Sequence, residues 1–241
     1  PSLLKSCMPD GFVAWRPRDI VSGDFYFVEQ VGENFLLAVL DCTGHGVPGA
    51  MMTMVAHGNL QRVLLDTQAH ADPARLLHHL NAGIKHSLYK GSGKRHTDDG
   101  LDAGLLYVNR SANTLTFAGA KQDLLVVRGG QSEWIRGERE SIGYMSSKDD
   151  FLFHNTTLEM EKGTIYFVAS DGLYDQMGGQ KDLMGFGKKR LQQFFAANHH
   201  LPMDEMEESL FATLDAFRGE QHWRDDLTIL CFRAGDDAPL T

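Results

Sequence analysis

The sequence predicts a single α+β domain, and three observations carry that prediction. Strand-length apolar runs and helix-period segments follow one another in blocks: strands, two helices, many strands, two helices and a last strand. No repeat or low-complexity linker divides the 241 residues, a length sufficient to bury a substantial core. The helical segments are apolar on one face, which suits helices packed outside antiparallel sheets.

Taken in order, residues 11–16 read as a short strand and 17–23 as a polar connection. Residues 24–31 and 35–41 are aromatic and aliphatic runs broken at Gly32-Glu33-Asn34, the pattern of a hairpin. Gly44 to Gly49 form a flexible turn, with Pro48 suited to the first turn of a helix. Met51, Met52, Val55, Leu60, Val63 and Leu64 then recur at helical spacing to about residue 66. Asp72-Pro73 starts a second helix, to about residue 88, buried through Leu76, Leu77, Leu80 and Ile84. A polar loop at 91–100 leads into strands at 103–108, 114–118, 124–128 and 133–135, read as a meander. Residues 136–150 take no assignment. Strands at 151–158 and 164–169, helices at 188–197 and 203–217, and a strand at 227–232 complete the chain, with 235–241 as a tail.

Composition narrows the class. Apolar content of 42% and charged content of 23% are those of a globular domain. A net charge of -9 argues against nucleic acid or an anionic membrane as the main partner. Cys7, Cys42 and Cys231 have no metal-site spacing and make no disulfide framework, which favours a reducing, cytoplasmic setting. No apolar run approaches the ~20 residues that span a bilayer. The chain starts at Pro1 rather than Met, so it reads as one domain, 1–241, cut from a larger protein whose membrane or sensor segment lies elsewhere.

The chemistry lies in carboxylates at strand ends. If Gly32 and Glu33 make the turn, Asp24 falls opposite Asp41 across the ladder, and like charges there repel. A divalent cation would turn that repulsion into attraction; otherwise one Asp ends its strand in water. Asp171 and the pair Asp225-Asp226 also abut apolar strands. Oxygen ligands without a His or Cys cluster favour Mg²⁺ or Mn²⁺, and two ions about 3.5–4 Å apart can clamp a phosphoryl group.

Four segments stand out in order across nearly the whole chain: Pro17-Arg-Asp-Ile-Val-Ser-Gly-Asp-Phe-Tyr26, Asp41-Cys-Thr-Gly-His-Gly-Val-Pro-Gly-Ala50, Ser170-Asp-Gly-Leu-Tyr-Asp175 and Arg224-Asp-Asp-Leu-Thr-Ile-Leu230. In sequence and in order they resemble the signatures of SpoIIE-type serine/threonine phosphatases, in the metal-dependent PPM (PP2C-like) superfamily. The resemblance implies an αββα sandwich of two antiparallel β-sheets flanked by helices. It also implies hydrolysis of phosphoserine or phosphothreonine on a regulatory protein, often an anti-sigma-factor antagonist, by a metal-bridging hydroxide. Asp41 matches the carboxylate bridging two Mg²⁺ or Mn²⁺ ions, the Cys42 backbone carbonyl a further ligand, Asp171 and Asp225 the ligands of one ion, and Asp24 the position serving the other. Asp226 is supporting. Asp98, Asp99 or Asp102 is the candidate for a weak third ion. Attachment of the full-length protein to the inner membrane is a further expectation from the family.

Some positions depart from the pattern or carry competing readings. An Ala-Gly-His stretch of many relatives reads Ala118-Gly119-Ala120-Lys121 here, so Lys121 replaces that His or its role is absent. His45 is a candidate general acid, weighed against a turn histidine without chemistry. Arg16 and Arg18, just upstream of Asp24, are candidates to clamp the substrate phosphate, or are solvated. Gly44–Gly49 lacks the Gly-Lys-Ser/Thr ending of a nucleotide loop. The helices at 48–66 and 72–88 are candidates for a regulatory or homodimer surface, and Lys90, Lys94, Arg95 and Lys181 for a basic docking rim. The competing functions are a catalytically silent interaction module on the same fold and a metal-dependent phosphodiesterase.

Overall fold

The computed structural model describes residues 2–65, 69–89, 98–179 and 182–235. Its elements are α1 (Ser2–Cys7), β1 (Gly11–Arg16), β2 (Asp24–Val31), β3 (Asn34–Cys42), α2 (Gly46–Leu64), α3 (Pro73–Tyr89), β4 (Leu101–Asn109), β5 (Thr114–Ala120), β6 (Leu124–Arg128), β7 (Gln131–Ile135), β8 (Thr156–Glu159), β9 (Ile165–Ala169), α4 (Asp171–Tyr174), β10 (Met177–Gly178), β11 (Met184–Gly185), α5 (Gly187–Asn198), α6 (Met203–Arg218) and β12 (Leu227–Arg233). One five-stranded sheet runs β1-β12-β9-β6-β7 and the other β2-β3-β4-β5-β8. Every ladder within these two sheets is antiparallel.

Three apolar layers hold the sheets and helices together, which makes the architecture the expected αββα sandwich. Leu36, Ala38, Leu40 and Leu105 on one side of the β2–β8 sheet pack on Leu60, Leu76 and Leu80 of α2 and α3. Phe167, Ile229 and Cys231 of the other sheet pack on Phe195, Met206 and Leu210 of α5 and α6. Between the sheets, Phe35, Leu37, Val39 and Leu106 meet Val126, Val168 and Leu230. Strand β3 is therefore buried on both faces, and Phe35 to Leu40 are all apolar with no alternation. Strand β2, at a sheet edge, keeps a mixed pattern.

The hairpin falls in the expected register, with Gly32 at φ 65° in the turn. The expected meander does not form as one sheet. Strand β5 pairs with β4 and β8, whereas β6 crosses to the opposite sheet and pairs with β7 and β9. The crossing occurs at Lys121, a left-handed residue at φ 56°. Beside it, a Cβ on Gly119 would lie 2.1 Å from the Gln122 carbonyl, so only glycine lets the chain turn there. Residues 151–155 are also not strand: Phe151 and Phe153 pack edge to face on the α3 side of the core. Helices α1 and α4 and the short β10–β11 pair carry too few residues to show a period.

Candidate active site

Antiparallel pairing brings the start of β2, the end of β3 and the start of β4 to one end of their sheet. There the register sets Asp24 beside Asp41 and Asp41 beside Asp102, three carboxylates in a row. They share strand parity with Val39, Leu37 and Leu106, so they belong to the face turned toward the other sheet. That sheet brings the end of β9, followed by Ser170-Asp171, and the start of β12, preceded by Asp225-Asp226. A link spans the mouth: the Asp171 N–H donates to Asp41 Oδ2 at 3.3 Å.

The electrostatics of this row are unfavourable for bare charge. Burial, reinforced by repulsion from Asp226, pushes the Asp24 carboxyl up to about 7. Burial and the charges of Asp24 and Asp171 push Asp41 well above the ordinary carboxylate range. Asp171 is raised to about 6 by burial and then by Asp175 and Asp225, although its exposure to water screens part of the effect. Asp24 Oδ2 is buried with no hydrogen-bond partner. An orphaned carboxylate oxygen in an all-oxygen donor set is what a hard divalent cation fits. Among the described residues, no three His, Cys, Asp or Glu side chains are already gathered closely enough to hold a metal ion. The fit rests on the donors' chemistry and the orphaned oxygen.

The Asp226 carboxylate is occupied differently. Its Oδ1 accepts the Arg18 N–H and its Oδ2 the Gly23 N–H, both at 2.7 Å. It is 2% exposed and anchors the 17–23 connection to β12. Asp225 Oδ1 accepts the Asp226 N–H at 2.9 Å, and the Asp225 charge is felt at Asp171. Gly172 permits this packing, because a Cβ there would sit 2.0 Å from the Asp226 carbonyl oxygen.

A family model for stage II sporulation protein E (SpoIIE) matches residues 32–235. The chain belongs to the SpoIIE family. Among solved structures, this SpoIIE chain resembles the SiaA-PP2C domain of Pseudomonas aeruginosa, at 34% identity and TM-score 0.84, over 96% of this chain and 89% of that one. It shares its fold with the PP2C phosphatase domain of SpoIIE from Bacillus subtilis, at 17% identity and TM-score 0.73, over 95% of this chain and 64% of that one. RsbX in complex with magnesium shares the fold at 16% identity and TM-score 0.61, over 92% of each chain. No curated protein matches the sequence. The chain is thus a PP2C-type serine/threonine phosphatase domain by family, and its homologues are bacterial signalling phosphatases. Among the described residues, no helix is long and apolar enough to cross a membrane.

The other candidate residues of this SpoIIE domain separate in the structure. Cys42 turns its thiol into the core beneath α2, where burial and then Asp41 hold it well above its usual range, so only its backbone is available at the mouth. Asp102 joins the row, with Ser141 Oγ donating to it at 2.6 Å. Asp98 and Asp99 are held instead at Tyr89: its hydroxyl donates to the Asp99 carbonyl at 2.7 Å and lies 3.4 Å from Asp98. Arg18 stays near the mouth, its guanidinium on the Arg224 carbonyl at 3.0 Å. Arg16 does not join it. By strand parity it lies with Phe12 and Ala14 on the helix-facing side of β1, its guanidinium stacked 3.4 Å from the Phe211 ring centre of α6. His45 Nδ1 lies 2.8 Å from Asp19 Oδ2, tying the start of α2 to the 17–23 connection. Lys90, Lys94, Arg95 and Lys181 lie outside the described residues.

Sequence reasoning passed over several contributors. Asp175, one helical turn after Asp171, was visible as an i, i+4 acidic pair. Ser170 and Thr228, both 0% exposed, lie close to Asp24, and the Ser170 hydroxyl accepts the Thr228 N–H at 2.9 Å. The Trp15 indole N–H donates to the Asp24 carbonyl at 3.0 Å. No local pattern marks these last three.

Proposed function

We propose that this domain hydrolyses phosphoserine or phosphothreonine on a regulatory partner protein, using two Mg²⁺ or Mn²⁺ ions held by Asp24, Asp41, the Cys42 carbonyl, Asp171 and Asp225. One observation carries the reading: the in-register row Asp24–Asp41–Asp102 lies opposite Asp171, with a buried, unpartnered Asp24 oxygen in its midst. Such ions, when bound, supply Lewis acidity that activates water and neutralises phosphoryl charge. The chain's own residues do the rest. Asp41, tied to the Asp171 backbone, places one carboxylate between the sheets. Asp226 fixes the approach of Gly23 and so the start of β2. Asp19 orients His45, to which we assign a positioning role at the start of α2. The magnesium in RsbX supports the choice of ion, and the description of SpoIIE as a cell fate determinant supports a regulatory protein substrate.

Chelation tests the reading. Protein stripped with EDTA is expected to lose aryl phosphate hydrolysis by at least about 10²-fold and to regain it with Mn²⁺. Turnover indifferent to chelation refutes the metal-dependent reading, and its absence at saturating Mn²⁺ on aryl phosphate and phosphoproteins alike favours a silent module.

A second observation bears on association. On α2, Val47, Met51 and Met54 are 66%, 65% and 76% exposed at helical spacing, and Ile20 is 98% exposed. This face is proposed to take a second copy or a regulator. Met51→Lys with Met54→Lys is expected to weaken self-association in sedimentation, or to blunt activation by a regulator. A double variant unchanged in both association state and activity removes the proposal.

A further inference from the structure

We infer that the cavity beside Asp102 is a docking subsite for an acidic side chain of the substrate protein, two or three residues from its phosphoresidue. This deepens the phosphatase reading and rests on it. The cavity measures about 620 Å³, and Asp102 belongs both to its wall and to the carboxylate row through its pairing with Asp41. Its other walls carry Lys121, Arg136, Arg139 and Lys188.

Two of the three carboxylates in these walls are already matched. Asp123 is held by Arg136 at 2.6 Å, by Lys188, and by the Gly137 N–H at 2.9 Å. Glu138 pairs with His154 at 2.8 Å. Lys121 and Arg139 have no ion-pair partner among the described residues. Lys121 also faces the charge of Asp102, whose ionised form it favours, so the cavity offers Arg139 and a lysine shared with Asp102 to whatever enters it. Their scaffold is built rather than loose. The Lys121 N–H donates to the Glu138 carbonyl at 2.7 Å, and the Glu138 N–H to the Gly119 carbonyl at 2.8 Å. These bonds clamp the segment bearing Arg139 against the crossover bearing Lys121.

Position selects the ligand. The phosphate must reach the row at Asp41, and the cavity lies beyond Asp102, one or two strand spacings of about 4.8 Å away. An extended peptide advances about 3.3 Å per residue, so a side chain two or three positions from the phosphoresidue reaches it. An Asp or Glu there would meet the lysine and the arginine, the latter able to bind a carboxylate through two N–H groups. The neighbouring Asp102 disfavours an unpaired anion, so occupancy requires that both cations be engaged.

The test uses two phosphoserine peptides, identical except that acidic residues at positions two and three on either side are replaced by amides, together with an aryl phosphate. The wild type in Mn²⁺ is expected to favour the acidic peptide about tenfold in kcat/KM, with the preference fading at high salt. Arg139→Glu is expected to abolish the preference while changing neutral-peptide and aryl phosphate hydrolysis less than about twofold, and Arg139→Lys to recover most of it. Fluorescence anisotropy with the labelled acidic peptide and metal-free protein supplies a readout apart from turnover. There, Arg139→Glu and Lys121→Gln should each weaken binding several-fold. A preference that survives Arg139→Glu, or equal losses on all three substrates, overturns the subsite. If no substrate is hydrolysed, the phosphatase reading fails, and the anisotropy result alone decides whether the cavity takes an acidic peptide.

Discussion

Replacing Asp41 by Asn is expected to lower phosphatase turnover by at least about 10³-fold while making the metal-free protein more stable. Asp41 stands between Asp24 and Asp102 in its own sheet and accepts a backbone N–H from Asp171 of the other. Its carboxylate thus stands at the middle of the row and is tied to the facing sheet as well. Stability moves the opposite way because burial and the charges of Asp24 and Asp171 oppose its ionisation. Asparagine keeps the shape and removes the charge, so the metal-free variant should melt higher than wild type near pH 8. The pH dependence follows with the same sign. Asp24 is raised from 3.8 to about 7, so the folded state binds the proton more tightly than the unfolded chain. Metal-free wild type should therefore lose stability as pH rises from about 4 to about 7, and saturating Mn²⁺ should reverse the loss. Thermal melts of both proteins at pH 5 and pH 8, with and without Mn²⁺, provide the check. An Asn variant that melts lower than wild type in EDTA at pH 8 would show that repulsion is not what Asp41 contributes.

Asp226→Ala should produce the largest loss of stability at the site. Both carboxylate oxygens accept backbone N–H groups 2.7 Å away, and the side chain is 2% exposed. Truncation leaves the Arg18 and Gly23 donors unmatched, which costs about 2–5 kcal/mol. In a domain of this size that lowers the melting temperature by about 5–15 °C. Asp226→Asn retains one acceptor and should fall midway. Activity should drop with Ala, because the 17–23 connection sets the start of β2 and hence Asp24. A melt within about 2 °C of wild type for Asp226→Ala would show that the two bonds contribute little.

Much of this protein is local and was legible in the residues. The hairpin register followed from the turn at Gly32, and with it the pairing of Asp24 with Asp41. The strand-end aspartates stood out because a carboxylate at the end of an apolar run has few structural reasons to be there, and three of them fall side by side in the row. The long helices followed from their periodic faces. What pairs across the two sheets was not legible. A strand pattern has the same period whichever sheet receives it, so the meander could be read without seeing that β6 crosses over at Lys121. Arg16 and Arg18 look alike in sequence, yet strand parity sends one to Phe211 while the turn keeps the other beside Arg224. Asp225 and Asp226 are neighbours of one type, and only the approach of a loop 203 residues away makes the second an anchor. Asp98, Asp99 and Asp102 look alike in sequence, yet only the pairing of β4 with β3 sets Asp102 beside Asp41. The sequence alone determined which residue types could do chemistry and at which strand ends they stand. The tertiary structure decided which of them meet, because hydrogen-bonded register and sheet packing are made between segments that share no local pattern.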